Sequence, residues 1–258
     1  MANYPTNQER TAEYLKKFDR EKSLKFLIKE GRPVIFDVGA NVGSTLEEFK
    51  TWWPVSVIHC FEPQSECWGP LGAVADRYAA GSVVINRFAA GNNTNEQATF
   101  YTHDISSGIS GFNRVNLRSL DSVRLSELSK ADPDALSDYE RSLNHERKVR
   151  IGRLDEYMNT CGVQRINLLK LDTQGHEPEV LEGFGRRLAD VDVVITELMF
   201  YDYYERSLTF SDIECLLLPA GFRLYDISHI AKNPMNGRTD WVDVIYVNSR
   251  VRAGAHGP

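Results

Sequence analysis

Nothing in this sequence marks a disulfide frame, a zinc site or a membrane span. The four cysteines, Cys60, Cys67, Cys161 and Cys215, include no CxxC pair, so they read as reduced thiols and not as a crosslinked scaffold or a set of metal ligands. No apolar run approaches the ~20 residues needed to cross a bilayer. The opening MANYPTNQERTAEYLKKFDR is polar and lacks the apolar core of a signal peptide. Together these absences set the expectation of a cytoplasmic protein without an integral membrane segment. A basic excess is also missing. The formal net charge is −6, which argues against a nucleic-acid partner, because duplex binding needs a basic footprint. Internal repeats and low-complexity tracts are absent. What remains is 42% hydrophobic and 26% charged residues over 258 positions. That composition excludes disorder for the chain as a whole, and one α/β domain commonly fills that length. A homo-oligomer is compatible with all of it.

Hydrophobic patterning alternates between short β-forming runs and amphipathic helices. Residues 8–30 place Leu15, Phe18, Leu24, Phe26 and Leu27 at roughly helical spacing, which predicts an N-terminal helical arm with one buried side. Buried strands are expected at 34–38, 55–61, 82–88, 166–171 and 191–198, and an added edge strand or hairpin at 99–103. His59 and Cys60 fall inside the second strand and read as core. Two further strands are expected at 222–227 and 242–247. Ser44 with Glu47, and Ser211 with Glu214, have capping-box spacing. Pro178 can open a helix at its first turn, along which Val180, Leu181, Phe184 and Leu188 form one apolar stripe. This order predicts a doubly wound, mostly parallel sheet. Residues 104–150 break the rhythm with Ser, Asp, Glu and Arg. They read as an insertion, a loop and a charged helix, serving either as a lid or as a solvated excursion. The tail 251–258 reads as frayed.

Two constellations carry chemistry. The first is Asp37-Val38-Gly39-Ala40-Asn41-Val42-Gly43, where a strand turns into a helix. Glycines there let the backbone approach a ligand, and the helix start offers free N–H groups to a phosphate or carboxylate. A dinucleotide fingerprint would need glycine at Asn41 and Ser44, and a Walker loop would need a terminal GK[ST]; both are missing. Glu62 ends the second strand, where a carboxylate can accept hydrogen bonds from both ribose hydroxyls. Loop and acid in this order point to an adenosine-type ligand. The second is Lys170-Leu171-Asp172-Thr173-Gln174-Gly175-His176-Glu177, which follows a buried strand. Strand period puts Lys170 and Asp172 on one face, either paired with each other or turned to a cleft. An imidazole such as His176 can take a proton near neutral pH, though a capping or surface role is an equal alternative.

The stretches FDVGANVGST, CFEPQSE and LKLDTQGHEPEVLEG, together with VRIGRLDEYM and ITELMFYDYYERSLTFSDIECLLLPAGFRL, resemble the FkbM-type family of class I S-adenosylmethionine-dependent methyltransferases. The resemblance covers about residues 33–248; the N-terminal arm and the charged segment near 115–150 depart from it. It implies a Rossmann-like fold, S-adenosylmethionine as cofactor, and methyl transfer to a hydroxyl. Sugar hydroxyls of surface glycans or natural products are the typical acceptors, and a polyketide or lipid hydroxyl is the alternative. A cofactor-binding module without catalysis is the competing class, against which the intact Asp37, Gly39, Gly43, Glu62 and Asp172 speak. The implied organisation is an arm over 1–32 and a methyltransferase domain over 33–250. The implied cofactor contacts are Asp37, Gly39, Ala40, Asn41, Gly43, Ser44, Glu62, Ala89 and Asp172. The catalytic candidates are His176, Asp172 and Lys170, with His176 preferred as general base and Asp172 as the alternative.

Three weaker candidates concern the acceptor, a small molecule or glycan. Ser107 sits in the hydroxyl-rich run Ser106–Gly111, either touching ligand or forming a flexible turn. Glu197 ends the fifth core strand and either orients substrate or stays solvated. Tyr201, with Tyr203 and Tyr204, offers aromatic faces that could stack on a sugar or merely pack. Nothing in the spacing of Asp172, His176 and Glu197 requires a metal.

Overall fold

Strands buried on both faces need helices on both sides, and that requirement organises the fold. The computed structural model describes residues 6–119, 133–234 and 236–251. Its main sheet contains β1 (Val34–Val38), β2 (Val57–Phe61), β3 (Val83–Asn86), β7 (Ile166–Leu171), β8 (Val191–Met199), β9 (Phe222–Lys232) and β10 (Thr239–Asn248). Their spatial order is β3-β2-β1-β7-β8-β10-β9. The first five are mutually parallel, and β10 runs antiparallel to both β8 and β9. All six residues of β7 are buried, which explains a run that reads INLLKL with no alternation. This is the doubly wound, mostly parallel sheet expected from the sequence.

Adjacent strand residues point to opposite faces, so Ile35 and Phe36 enter different cores. On one face Ile35, Ile58, Leu168, Val193 and Ile245 pack against α2 (Arg20–Leu27), α3 (Ser44–Trp52) and α4 (Ser65–Ala75). On the other, Phe36, Phe61, Leu169, Val194 and Tyr246 pack against α6 (Leu154–Cys161), α7 (Glu177–Glu182) and α8 (Phe210–Leu217). The Val180, Leu181, Phe184 and Leu188 stripe is buried there. Only half of the N-terminal arm packs as expected. Leu24 and Leu27 of α2 are buried, but α1 (Asn7–Lys17) buries no residue and Leu15 is 70% exposed. Residues 1–5 of the arm and 252–258 of the tail lie outside the described residues.

The strand or hairpin expected at 99–103 forms, not as an addition to the main sheet but in a second, three-stranded sheet that the sequence pattern does not predict. β4 (Ala89–Ala90) pairs in parallel with β6 (His145–Gly152), and β5 (Asn95–Thr102) pairs antiparallel with β6. Residues 145–150, expected as insertion, are therefore strand. The charged run HERKVRIG hides it because one face is wet: Glu146, Lys148 and Arg150 are exposed, while Val149 and Ile151 are buried. The expected charged helix is α5 (Pro133–Arg141); residues 120–132 of the insertion lie outside the described residues. Of the two anticipated capping boxes, one does not form and the other is displaced. α3 is entered through Gly43 in the left-handed region (φ 94°), with Ser44 already inside the helix. α8 is capped by Thr209 with Asp212. A capping side chain needs an extended backbone at its own position, and spacing alone does not reveal that. Among the described residues no helix is long and apolar enough to cross a membrane.

Candidate functional site

Two strand ends meet at the carboxyl edge of the sheet and shape the site. β1 and β7 are paired with Asp37 opposite Lys170. The chain then turns at Gly39 (φ 80°) so close to β7 that a Cβ there would lie 1.9 Å from the Asp172 carbonyl oxygen. Only glycine fits. Lys170 Nζ donates to the Gly39 carbonyl at 2.8 Å and pairs with Asp37 at 3.1 Å and Asp172 at 3.5 Å. Burial pulls the Lys170 ammonium down, but the two carboxylates outweigh it and hold its pKa above the ordinary value. Lys170 is thus a fixed cation and not a proton acceptor.

Past the turn Asn41 takes a left-handed conformation (φ 47°), one that asparagine tolerates better than most residues. That directs its N–H at Glu62 Oε2, 2.8 Å away, while the Gln64 N–H donates to Glu62 Oε1, also at 2.8 Å. Glu62 is 2% exposed, and burial raises its pKa against the pull of these two hydrogen bonds. Each carboxylate oxygen keeps a lone pair for a further donor, and the side chain borders a cavity. Gly39, Asn41 and Asp172 flank the same cavity, with Ala89, Ala90, Phe112 and His176 at its apolar end.

The expected insertion closes this cavity from above. Ser107 Oγ donates to Asn41 Oδ1 at 2.9 Å, and Gln64 Nε2 donates to the Ser107 carbonyl at 3.1 Å. Ser107 therefore stands over the glycine turn and lines this cavity. A second seam runs through Gln174, whose amide donates to Asp172 Oδ1 at 2.6 Å. The Tyr204 hydroxyl lies 2.6 Å from Gln174 Oε1 and 3.0 Å from the Ile109 carbonyl. Tyr204 is buried by this role, so of the tyrosine cluster it is a packing residue. Tyr201 borders a smaller cleft beside Asp172, Gln174, Glu197 and Arg206. A third, mostly polar cleft on the arm side is lined by Arg20, Thr45, Lys170, Asp172, Thr196, Glu197, Ser228 and Asp243, with Leu171 and Ile195 as its apolar members.

Several expected contacts are displaced. Asp37 is fully buried beneath the turn and does not line the cavity; it acts on Lys170. Ala40, Gly43 and Ser44 are also off the cavity wall. Gly43 packs toward Leu71 and Val74, and Ser44 is exposed. His176 is brought to the cavity, but as a wall. Its ring is 4.2 Å from that of Phe112, and burial lowers its pKa to about 4. At neutral pH it is uncharged and a weak base. Gln64, Phe112 and Arg20 were missed; Gln64 alone had a local signal, standing two residues after the strand-end acid. Among the described residues no group of three or more His, Cys, Asp or Glu is placed to hold a metal ion.

The chain is similar to several known proteins. The methyltransferase FkbM domain family matches residues 37–224. The 2-O-methyltransferase NoeI of Sinorhizobium fredii is 26% identical over 196 residues, covering 74% of this chain and 73% of that protein. The AMB antimetabolite synthetase AmbE of Pseudomonas aeruginosa is 30% identical over 178 residues, covering 64% of this chain and 8% of that protein. Among solved structures, magnesium protoporphyrin IX methyltransferase (ChlM) from Synechocystis PCC 6803 with bound SAM aligns over 96% of this chain and 86% of that chain. Its TM-score is 0.45 and its identity 11%.

Two outcomes follow from the electrostatics. Lys170→Met leaves the Asp37 carboxylate buried without its counter-charge, which should cost about 3–5 kcal/mol in urea unfolding; a loss below about 1 kcal/mol would show that the pair does not hold the turn. His176 is unprotonated when folded down to about pH 4, but its ordinary value is 6.5. The unfolded chain therefore takes up a proton at this residue between those values, and the wild type loses stability as pH falls through that window. His176→Phe keeps the ring contact and removes the titration. Its urea midpoint should improve relative to wild type between pH 7 and pH 4.5; a constant difference would mean that His176 titrates normally.

Proposed function

Because this chain belongs to the methyltransferase FkbM domain family, whose methyl donor is S-adenosylmethionine, we propose that it is an O-methyltransferase acting on a sugar hydroxyl of a surface glycan or glycosylated natural product. The observation that carries the cofactor's place is Glu62: a buried carboxylate fixed by two backbone N–H groups, bordering the cavity beside the glycine turn with acceptor capacity left over. The residues present fit the group. Glu62 would hold the ribose hydroxyls, and Ala89, Phe112 and the neutral His176 would flank the adenine. The Gly39 turn and the Asp172 backbone would flank the methionine portion. The cofactor supplies a methyl group already activated on a sulfonium. The protein's tasks are then alignment of the acceptor and removal of one proton.

Lys170 keeps the turn and Asp172 in fixed relation through its three contacts. Asp172 touches all three clefts, so it stands where cofactor and acceptor would meet. The arm-side cleft supports a hydroxyl-rich acceptor over a lipid. Arg20, Thr45, Thr196, Glu197, Ser228 and Asp243 offer hydrogen-bonding groups there, with little apolar surface for an acyl chain. The printed activity of the relative NoeI, 2-O-methylation, supports oxygen as the acceptor atom.

Titration calorimetry and methyl transfer test this reading. S-adenosylmethionine at about 100 times its Kd should stabilise the fold by roughly 2.7 kcal/mol, and NAD should not. Glu62→Gln should weaken binding by about 1.5–3 kcal/mol, the worth of a hydrogen bond to a charged group, with the fold intact. Unchanged affinity would move the ribose elsewhere. Transfer is then assayed on methyl glycosides, nucleotide sugars, a polyketide alcohol and a long-chain alcohol. Methylation confined to the last two would overturn the sugar acceptor.

A further inference from the structure

Four of the five strand-end and turn acids at the site are already committed. Asp37 pairs with Lys170, Glu62 receives two backbone N–H groups, Asp172 receives Gln174 and Lys170, and Glu177 receives both the N–H and the hydroxyl of Thr173. Glu197 differs. Among the described residues its carboxylate has no hydrogen-bond or ion-pair partner, although it is only partly exposed. β7 and β8 run parallel with Leu171 opposite Thr196, so Glu197 stands on the next rung, beside Asp172. It borders both the cleft that holds Gln174 and Tyr201 and the polar arm-side cleft. Its antiparallel neighbour Asp243 borders only the second.

We propose that Glu197 is the catalytic base that takes the proton from the acceptor hydroxyl. This rests on the methyltransferase reading above. As the acceptor oxygen forms its bond to the methyl carbon, the carbon–sulfur bond breaks and its electron pair stays on sulfur. The acceptor O–H bond breaks and the proton goes to a Glu197 carboxylate oxygen, to be released later to water through the arm-side cleft. An uncommitted carboxylate suits this task, because accepting the proton disrupts no structural bond.

The surroundings tune it toward basicity. Asp172 and Lys170 face it from β7, Glu177 from α7, Asp243 from β10 and Arg20 from α2, with Tyr201, Tyr204 and Arg206 on the loop side. Burial first, then the charges of Asp172, Asp243 and Glu177, raise its pKa to about 8, and Lys170 opposes them. A base is most effective with a pKa near the working pH.

The test uses the full chain. Single-turnover transfer at saturating S-adenosylmethionine is followed against pH, with the methyl glycoside that wild type methylates fastest. Wild-type rate should climb with pH and level off above about 8. Glu197→Gln should lose about 10²- to 10⁴-fold in rate, lack that rise, and keep its calorimetric affinity for the cofactor. Asp243→Asn removes a neighbouring negative charge, so the rise should persist but move to lower pH. Urea unfolding gives an acceptor-free check. A folded pKa of about 8 against an ordinary 4.5 means wild type loses stability as pH rises between them. The midpoint advantage of Glu197→Gln should therefore widen from pH 5 to pH 9. If Glu197→Gln keeps both rate and pH profile, this role is wrong and the methyltransferase reading stands. If wild type binds the cofactor but methylates no hydroxyl in the panel, both fall together.

Discussion

A single buried cation, the ammonium of Lys170, fixes the geometry on which the site depends. It reaches the Gly39 carbonyl, Asp37 and Asp172 at once. These belong to the turn after β1, to β1 itself and to the end of β7, so one side chain ties together the segments that must meet at the sheet edge. Burying a lysine is costly unless it is paired and hydrogen-bonded. Here the cost is offset by two carboxylates and a carbonyl, and the offset exists only when β1 and β7 are in register. The pair thus rewards one strand alignment over its alternatives, and that alignment presses Gly39 against Asp172.

Around this anchor the cavity beside Glu62 is assembled from segments far apart in the chain: the glycine turn near 39–41, the strand end at 61–64, the loop at 107–112 and the turn at 172–176. Hydrogen bonds, not apolar packing, make most of the joins. Asn41 receives Ser107, Gln64 holds the Ser107 backbone, and Gln174 links Asp172 to Tyr204. An aromatic patch behind the loop, with Val115, Tyr139, Leu143 and Tyr204, gives the cover its own small core. A cover joined by a few polar contacts can open at lower free energy than the sheet can, which suits a site that must admit and release a ligand.

The charges divide the site into two environments. In the cavity beside the glycine turn Glu62 is the buried acid, held by backbone donors beside neutral walls. On the arm side Asp172, Glu197 and Asp243 stand close together, countered by Lys170 and Arg20. Like charges gathered at partly buried positions raise the pKa of a carboxyl among them, and Glu197, which borders both clefts with Asp172, Asp243 and Glu177 around it, is raised in this way. The N-terminal arm contributes through Arg20, which neither its helical spacing nor its exposure would single out.

The parallel core, the glycine turn and the strand-end acid were legible in the residues themselves. Each depends on near neighbours: a β-forming run followed at once by Gly39, and Glu62 closing another such run. The charge-rich segment around 145–152 hid a strand because its alternation shows only once β5 lies beside it. The helix caps moved because capping depends on backbone conformation, which spacing does not encode. Tertiary structure alone decided what each titratable group became. His176 looked like a base in the chain, and Phe112, 64 residues earlier, together with burial turned it into a neutral wall. Asp37 looked like a ligand contact and became the buried partner of Lys170. Glu197 stood at a strand end as a group that would either orient substrate or stay solvated, and the fold left it without a partner between two clefts. Desolvation and charge pairing act through space, so only the folded chain determines them.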